Sequence, residues 1–177
     1  LTTCFWAFKR VNKGSTVLWN RFMELVILQK NKMDLAKLTI TLNVISNHPL
    51  DNDDFWKEIE KLTLNLIESN NLNHYYLSKI IRSFGKCKSL STEQSKAVLK
   101  AKFLELYKKE QITNVNDLVD YVLGFSALSI NDPNIWKMLQ QLYQKLPVKT
   151  LSENNKRECQ NIFNKKLNVK KAEGWVR

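Results

Sequence analysis

The sequence predicts an all-α protein, arranged as an α-solenoid of helical hairpins with a repeat of about 40 residues. Its 177 residues include only four glycines and three prolines, fewer than turn-dense β-sandwiches or glycine-rich nucleotide-binding folds need. Apolar residues recur at spacings of three and four, which is the amphipathic-helix pattern. In addition, "DDFWKEIEKL" from Asp53 is echoed eighty residues later by "PNIWKMLQQL" from Pro133.

Three apolar-periodic stretches are the predicted first helices of the hairpins: "LTITLNVI", "LSKIIRSF" and "LVDYVLGF". Their leading leucines, Leu38, Leu77 and Leu118, are 39 and then 41 residues apart. Each stretch presents its apolar residues on one helical face. These faces comprise Leu38, Leu42 and Ile45; Leu77, Ile80, Ile81 and Phe84; and Leu118, Tyr121, Val122 and Phe125.

The predicted second helices begin at turn residues that can cap free backbone amides. These starts are the segment 51–54 after His48-Pro49, Ser91 in "SLSTEQ", and Asp132 before Pro133. The middle unit is the longest, and "GKCKSL" is its predicted insertion.

The second helices also repeat in register with the first. Trp56 follows Leu38 by 18 residues, and Trp136 follows Leu118 by the same interval. "LWNRFMEL", with Trp19, is an earlier copy of the second helix. We therefore expect all three tryptophans to pack between hairpins.

The predicted organisation is a single domain, because a lone hairpin cannot bury its apolar stripe and must stack on its neighbours. An irregular helical bundle is the alternative arrangement. The domain spans residues 1–177, with an N-terminal half-unit at 1–32, repeat units at 33–71, 72–112 and 113–151, and a C-terminal half-unit with a basic tail at 152–177.

The net charge of +11 suggests an acidic partner, although only five of the 28 basic residues are arginine. A chain rich in lysine and asparagine can also reflect an AT-rich genome. Charge is nevertheless unevenly distributed: residues 1–50 carry +5, whereas residues 112–147 carry −1. Codon bias alone does not account for that difference.

Lys79, Arg82 and Lys86 follow the spacing i, i+3, i+7 on the face opposite the apolar residues of "LSKIIRSF". First helices share one surface in a solenoid, so we expect this stripe to point outward and contact phosphates. A solvated lysine-rich face is the simpler alternative. The other predicted nucleic-acid-binding residues are Lys88, Lys96, Lys100, Lys165, Lys166, Lys170 and Lys171.

The sequence offers little chemistry for an enzyme, and we predict no catalytic residue, cofactor, metal site or small-molecule substrate. His48 and His74 pair with no cysteine or carboxylate at ligand or triad spacing, so both are predicted to face solvent or a turn. The carboxylates of segment 51–54 lack the pattern of a calcium loop and fit helix capping better.

The remaining tryptophans, Trp6 and Trp175, lie outside the repeat register near the chain ends. We predict that they contact partner proteins. No apolar run approaches the roughly 20 residues of a membrane span, so we predict no membrane insertion.

The units "LVDYVLGFSALSINDPNIWKMLQQLYQKL" and "LTITLNVISNHPLDNDDFWKEIEKLTLNLI" resemble the helical repeats of FAST-kinase-like and RAP-domain proteins, including octotricopeptide and heptatricopeptide arrays. Each has an apolar first helix ending near a small residue, a short Asp/Asn/Pro turn, and a second helix led by an aromatic. The resemblance covers residues 33–147. It implies a protein of the mitochondrial matrix that associates with RNA.

The sequence departs from the larger family members in having no RAP module after the repeats, so we expect no catalytic role in RNA processing. The sequence thus predicts a non-enzymatic structural component of a mitochondrial ribosome or RNA complex, bound to ribosomal or other organellar RNA and to neighbouring proteins. The alternative is a protein–protein scaffold or accessory subunit of a large mitochondrial membrane complex.

Overall fold

The structure, a computed structural model, describes Ala7 and residues 15–47, 52–68, 72–109 and 111–172; for residues 88 and 168–172 it describes the backbone alone. These ranges contain no β-strand, which confirms the all-α prediction for them. The helices are α1 (Thr16–Leu28), α2 (Leu35–Ile45), α3 (Asp53–Leu66), α4 (His74–Lys86), α5 (Glu93–Lys109), α6 (Val115–Ala127), α7 (Pro133–Lys145) and α8 (Glu153–Ala172), with 3-10 turns at Lys30–Lys32, Lys88–Leu90 and Val148–Thr150.

Short polar side chains begin most of these helices by accepting a backbone N–H of the first turn. Asp132 does so for α7, with Pro133 at the first helical position, as the sequence predicted. The prediction of Ser91 for α5 was wrong by one residue: Thr92 Oγ1 accepts from the Ser95 amide at 3.1 Å. The other capping residues are Ser15, Asp34, Asn52, Asn73 and Asn114.

Each of the ranges 33–71, 72–112 and 113–151 contains two α-helices. The first helices pack in chain order, with α4 contacting both α2 and α6, and α6 contacting α8. Among the second helices, α3 contacts both α1 and α5. Hairpins that are neighbours in sequence are therefore neighbours in space.

The most extensive helix packing, between α4 and α6, passes through two glycines. A Cβ atom on Gly124 would lie 2.7 Å from Ile81 Cγ2 and 2.8 Å from the Ile81 carbonyl oxygen. A Cβ atom on Gly85 would lie 2.8 Å from the Gly124 carbonyl oxygen. The backbones thus approach more closely than a side chain at either position would permit.

The core lies between the rows of first and second helices. Trp19, Trp56 and Trp136 are 5%, 2% and 1% exposed, which confirms that they are packed inside. The fully buried ring of Phe103, on α5, lies 4.9 Å from that of Tyr121 and 5.2 Å from that of Phe125, between ring centroids. Aromatic side chains thus join the two rows.

Replacing Gly124 with alanine should lower the free energy of unfolding by about 1–3 kcal/mol, because α4 must move to admit the methyl group. The loss would occur despite the roughly 1 kcal/mol by which alanine favours a helix over glycine. Urea denaturation would measure it. Ser126→Ala, on the half-buried edge of the same helix, is the matched control and should change little; equal stability of Gly124→Ala and wild type would contradict the close-contact interpretation.

Candidate nucleic-acid interface

The predicted basic stripe lies on α4, which begins after the Asn73 cap and buries its opposite face in the core. Leu77, Ile81 and Phe84 on that opposite face are completely buried. The stripe itself lies at the exposed edge of the row of first helices. We call this surface the first-helix face; its members are Ala36, Ile40, Asn43 and Asn47 on or just after α2, Tyr75, Lys79, Arg82 and Lys86 on α4, and Asn116, Asp120 and Ala127 on α6.

Asp120 of α6 lies against two of the predicted phosphate ligands. The Lys79 ammonium forms a short ion pair with the Asp120 carboxylate, and Arg82 Nε lies 4.0 Å from its other oxygen. The three side chains are only 27%, 28% and 18% exposed. Lys79 and Arg82 therefore face the junction with the next helix and are only partly exposed, whereas the sequence predicted that they point outward.

Lys86 is exposed and contacts the preceding first helix. Its ammonium donates to Asn47 Oδ1 at 3.1 Å. Thus α4 makes polar contacts with both of its neighbours in the row. The first-helix face holds three cations and one carboxylate, a net charge of +2.

The lysines predicted on α5 are held by acidic side chains. Lys96 pairs with Glu93 at 2.7 Å, and Lys100 pairs at 2.7 Å with Asp132, the cap of α7. The hydrogen bond from Lys100 holds the pKa of the Asp132 carboxyl below its ordinary value. Lys100 therefore connects α5 to the start of α7, whereas Lys96 pairs within α5.

In the predicted C-terminal cluster of lysines, one described side chain is exposed and the other contacts the fold. Lys165 is exposed on α8. Lys166 donates to Asn131 Oδ1 at 2.6 Å and lies 5.5 Å from the Trp136 ring centroid. Burial, with a contribution from Lys165, lowers its pKa. The side chains of Lys88, Lys170 and Lys171, and residues Trp6, His48 and Trp175, lie outside what the structure describes.

A buried polar network between α4 and α6 was missed by sequence reasoning. His74 is 6% exposed, so its predicted solvent or turn position was wrong. Its Nδ1 lies 2.9 Å from the Tyr121 hydroxyl, which also lies 3.3 Å from the His74 carbonyl oxygen. Both bonds form when Nδ1–H donates to the hydroxyl and the hydroxyl donates to the carbonyl.

A second buried polar contact between the same two helices involves a carboxyl group. Asp117 is 5% exposed, and Ser78 Oγ donates to its Oδ1 at 3.2 Å. Burial raises the pKa of Asp117, an effect partly offset by Lys79 and by the Ser78 bond. The sequence signal for this network was the polar pair at i, i+4 on each helix, His74 with Ser78 and Asp117 with Tyr121.

The raised pKa predicts a pH-dependent contribution to stability. Between the unfolded and the raised folded pKa, the folded protein keeps a proton that the unfolded chain has lost. The free energy of unfolding contributed by Asp117 therefore falls as pH rises through that interval. Asp117→Asn removes the titration and keeps an acceptor for Ser78.

We therefore expect the stability of Asp117→Asn relative to wild type to increase as pH rises from about 3 to about 7, starting below the ordinary aspartate pKa. Urea denaturation at a series of pH values would measure it. A flat difference for Asp117→Asn would show that its titration is not coupled to folding.

Within the described ranges, no three His, Cys, Asp or Glu side chains are grouped as a metal site, and no helix is long and apolar enough to cross a bilayer. Comparison with protein-family models, curated proteins and solved structures finds no match in any of the three. The residues of the first-helix face are therefore the features from which a function can be inferred.

Proposed function

We propose that this chain is a non-enzymatic helical-repeat protein that associates with RNA through its first-helix face. The observation that carries the proposal is the net charge of +2 on that face, where Lys86 is exposed and exposed asparagines flank the cations. Cations there can neutralise phosphates and release counterions, while amides can donate to phosphate and sugar oxygens. The resemblance to FAST-kinase-like and RAP-domain repeats supports a place in a mitochondrial ribosome or another RNA complex of the matrix.

The repeat architecture is part of this proposal. The pairs α2–α3, α4–α5 and α6–α7 would be successive units of an α-solenoid with a period of about 40 residues. Packing in chain order supports this arrangement. So do two contacts between residues 39 positions apart, Ser78 with Asp117 and Gly85 with Gly124. Such a row would display the first helices as one continuous binding surface.

Asp120 is the internal competitor of RNA in this mechanism. It neutralises one of the two charges of Lys79 and Arg82, so a phosphate at this position must share those cations with a carboxylate. Removing the carboxylate and removing a cation should then have opposite effects on RNA affinity. A surface that does not bind phosphate would show neither effect.

We expect Asp120→Asn to raise the affinity for a short RNA several-fold at low salt, and Lys86→Gln to lower it several-fold. Each phosphate that the protein newly neutralises, or ceases to neutralise, should change the slope of log K against log salt by roughly 0.7 on single strands. Fluorescence anisotropy at a series of salt concentrations would measure both quantities. Neutral substitutions are preferable because glutamate at Lys79 or Arg82 would face Asp120.

Lys61→Gln and Lys137→Gln are the matched controls, since both lysines are exposed on second helices and the substitutions remove the same charge. Neither should change the affinity as much as Lys86→Gln. Asp120→Asn should also cost about 1 kcal/mol of stability through the lost ion pair, so binding is compared under conditions where every variant is folded. Equal losses of RNA affinity for the substitutions at Lys61, Lys137 and Lys86 would show that only the total charge of the protein matters. That result would contradict binding through the first-helix face.

The alternative function, a protein–protein scaffold, is favoured by apolar surface on α1. Val17 and Leu28 are 78% and 75% exposed, and a groove of about 650 Å³ between α1 and α3 is lined in part by Met23, Ile27 and Phe55. Apolar docking would depend little on salt, whereas RNA association should weaken steeply. Retention of partners at high ionic strength with loss of RNA would favour the scaffold.

A further inference from the structure

Tyr75 is exposed on the first-helix face, one turn before Lys79 on α4. It is 52% exposed, and no other aromatic ring in the described parts of the chain is among the large exposed side chains. Most aromatic residues here are at least half-buried and packed against the core. An exposed ring beside a row of cations is the combination by which proteins hold unpaired nucleic acid, with stacking for the base and charge for the backbone.

Neighbouring side chains hold the Tyr75 ring in place. Lys79 Nζ lies 5.7 Å from its centroid, and Lys79 is itself paired with Asp120 of the next first helix. The Tyr76 ring packs against it edge-on, with centroids 5.3 Å apart and planes at 70°. A ring already held by its neighbours loses less conformational freedom when a ligand stacks on it.

We propose that the first-helix face binds single-stranded RNA, with one unpaired base stacked on Tyr75 and the backbone running along α4 past Arg82 to Lys86. This inference rests on the proposed function and specifies the form of RNA. From Tyr75 to Lys86 the helix rises about 16 Å, a length that matches a few nucleotides of a single strand.

Base stacking is what selects single strands in this arrangement. In a duplex the base faces are covered by neighbouring base pairs, so Tyr75 has no face to meet and only the phosphates remain. Duplex RNA would then bind through the cations alone. Single strands would add an interaction that does not depend on salt, because an uncharged ring releases no counterions.

The experiment compares Tyr75→Leu, which keeps apolar bulk, with Tyr75→Phe, which keeps the ring. Val17→Ala is the control outside the first-helix face, at an apolar side chain of α1 that is 78% exposed and has no ring. The ligands are a short single-stranded RNA containing 2-aminopurine and its fully paired duplex. Anisotropy measures the affinity, and quenching of 2-aminopurine fluorescence reports stacking.

For single-stranded RNA, Tyr75→Leu should weaken binding about 5-fold to 150-fold, the range measured for loss of a base–aromatic stack. It should also abolish the quenching and leave the salt slope unchanged. Tyr75→Phe and Val17→Ala should behave like wild type, and duplex affinity should be the same for all four proteins.

Two results would overturn the inference alone, and a third would overturn the proposed function with it. One is a Tyr75→Leu variant that binds single strands as wild type does while Lys86→Gln still weakens binding; the proposed function would then stand without a stacking site. The other is an affinity for duplex RNA that equals the affinity for single strands and that Tyr75→Leu lowers by the same factor. If neither Lys86→Gln nor Tyr75→Leu alters RNA binding, the proposed function fails together with this inference.

Discussion

The close approach of α4 and α6 at Gly85 and Gly124 is the constraint on which the rest of the structure depends. Because no side chain separates the backbones of α4 and α6 at these glycines, the flanking polar residues of the two helices come within hydrogen-bond distance. Ser78 consequently reaches Asp117, and Lys79 reaches Asp120. One packing arrangement therefore fixes both the buried network and the charge of the exposed face.

Only a small part of the overall charge of +11 lies on the first-helix face, whose net charge is +2. On the side of the second helices, Lys100 joins α5 to Asp132 at the start of α7. Lys102 joins α5 to Glu68, just after α3. These lysines support the stack, because pairs that cross between elements fix their relative positions. A smaller excess of charge remains on the first-helix face, where it is concentrated on α4.

Sequence periodicity predicted the helices because burial of an apolar stripe is a local pattern with a fixed period. It also placed Lys79, Arg82 and Lys86 on one edge of α4. It did not predict Asp120 as their partner, since that pairing depends on how α4 and α6 are aligned in three dimensions. His74 was misplaced for the same reason: its burial depends on contact with Tyr121 from the next hairpin, and that contact follows from the alignment of α4 and α6.

The close glycine pair also determines where the row of first helices can adapt its shape. The other two glycines of the chain, Gly14 and Gly174, lie near its ends, so side chains separate α2 from α4 and α6 from α8. Side chains can change rotamer and allow small rotations, whereas two backbones in direct contact cannot. The row should therefore be stiff at its centre and compliant at its two outer junctions, and a change in curvature would be absorbed there while the α4–α6 spacing stays constant.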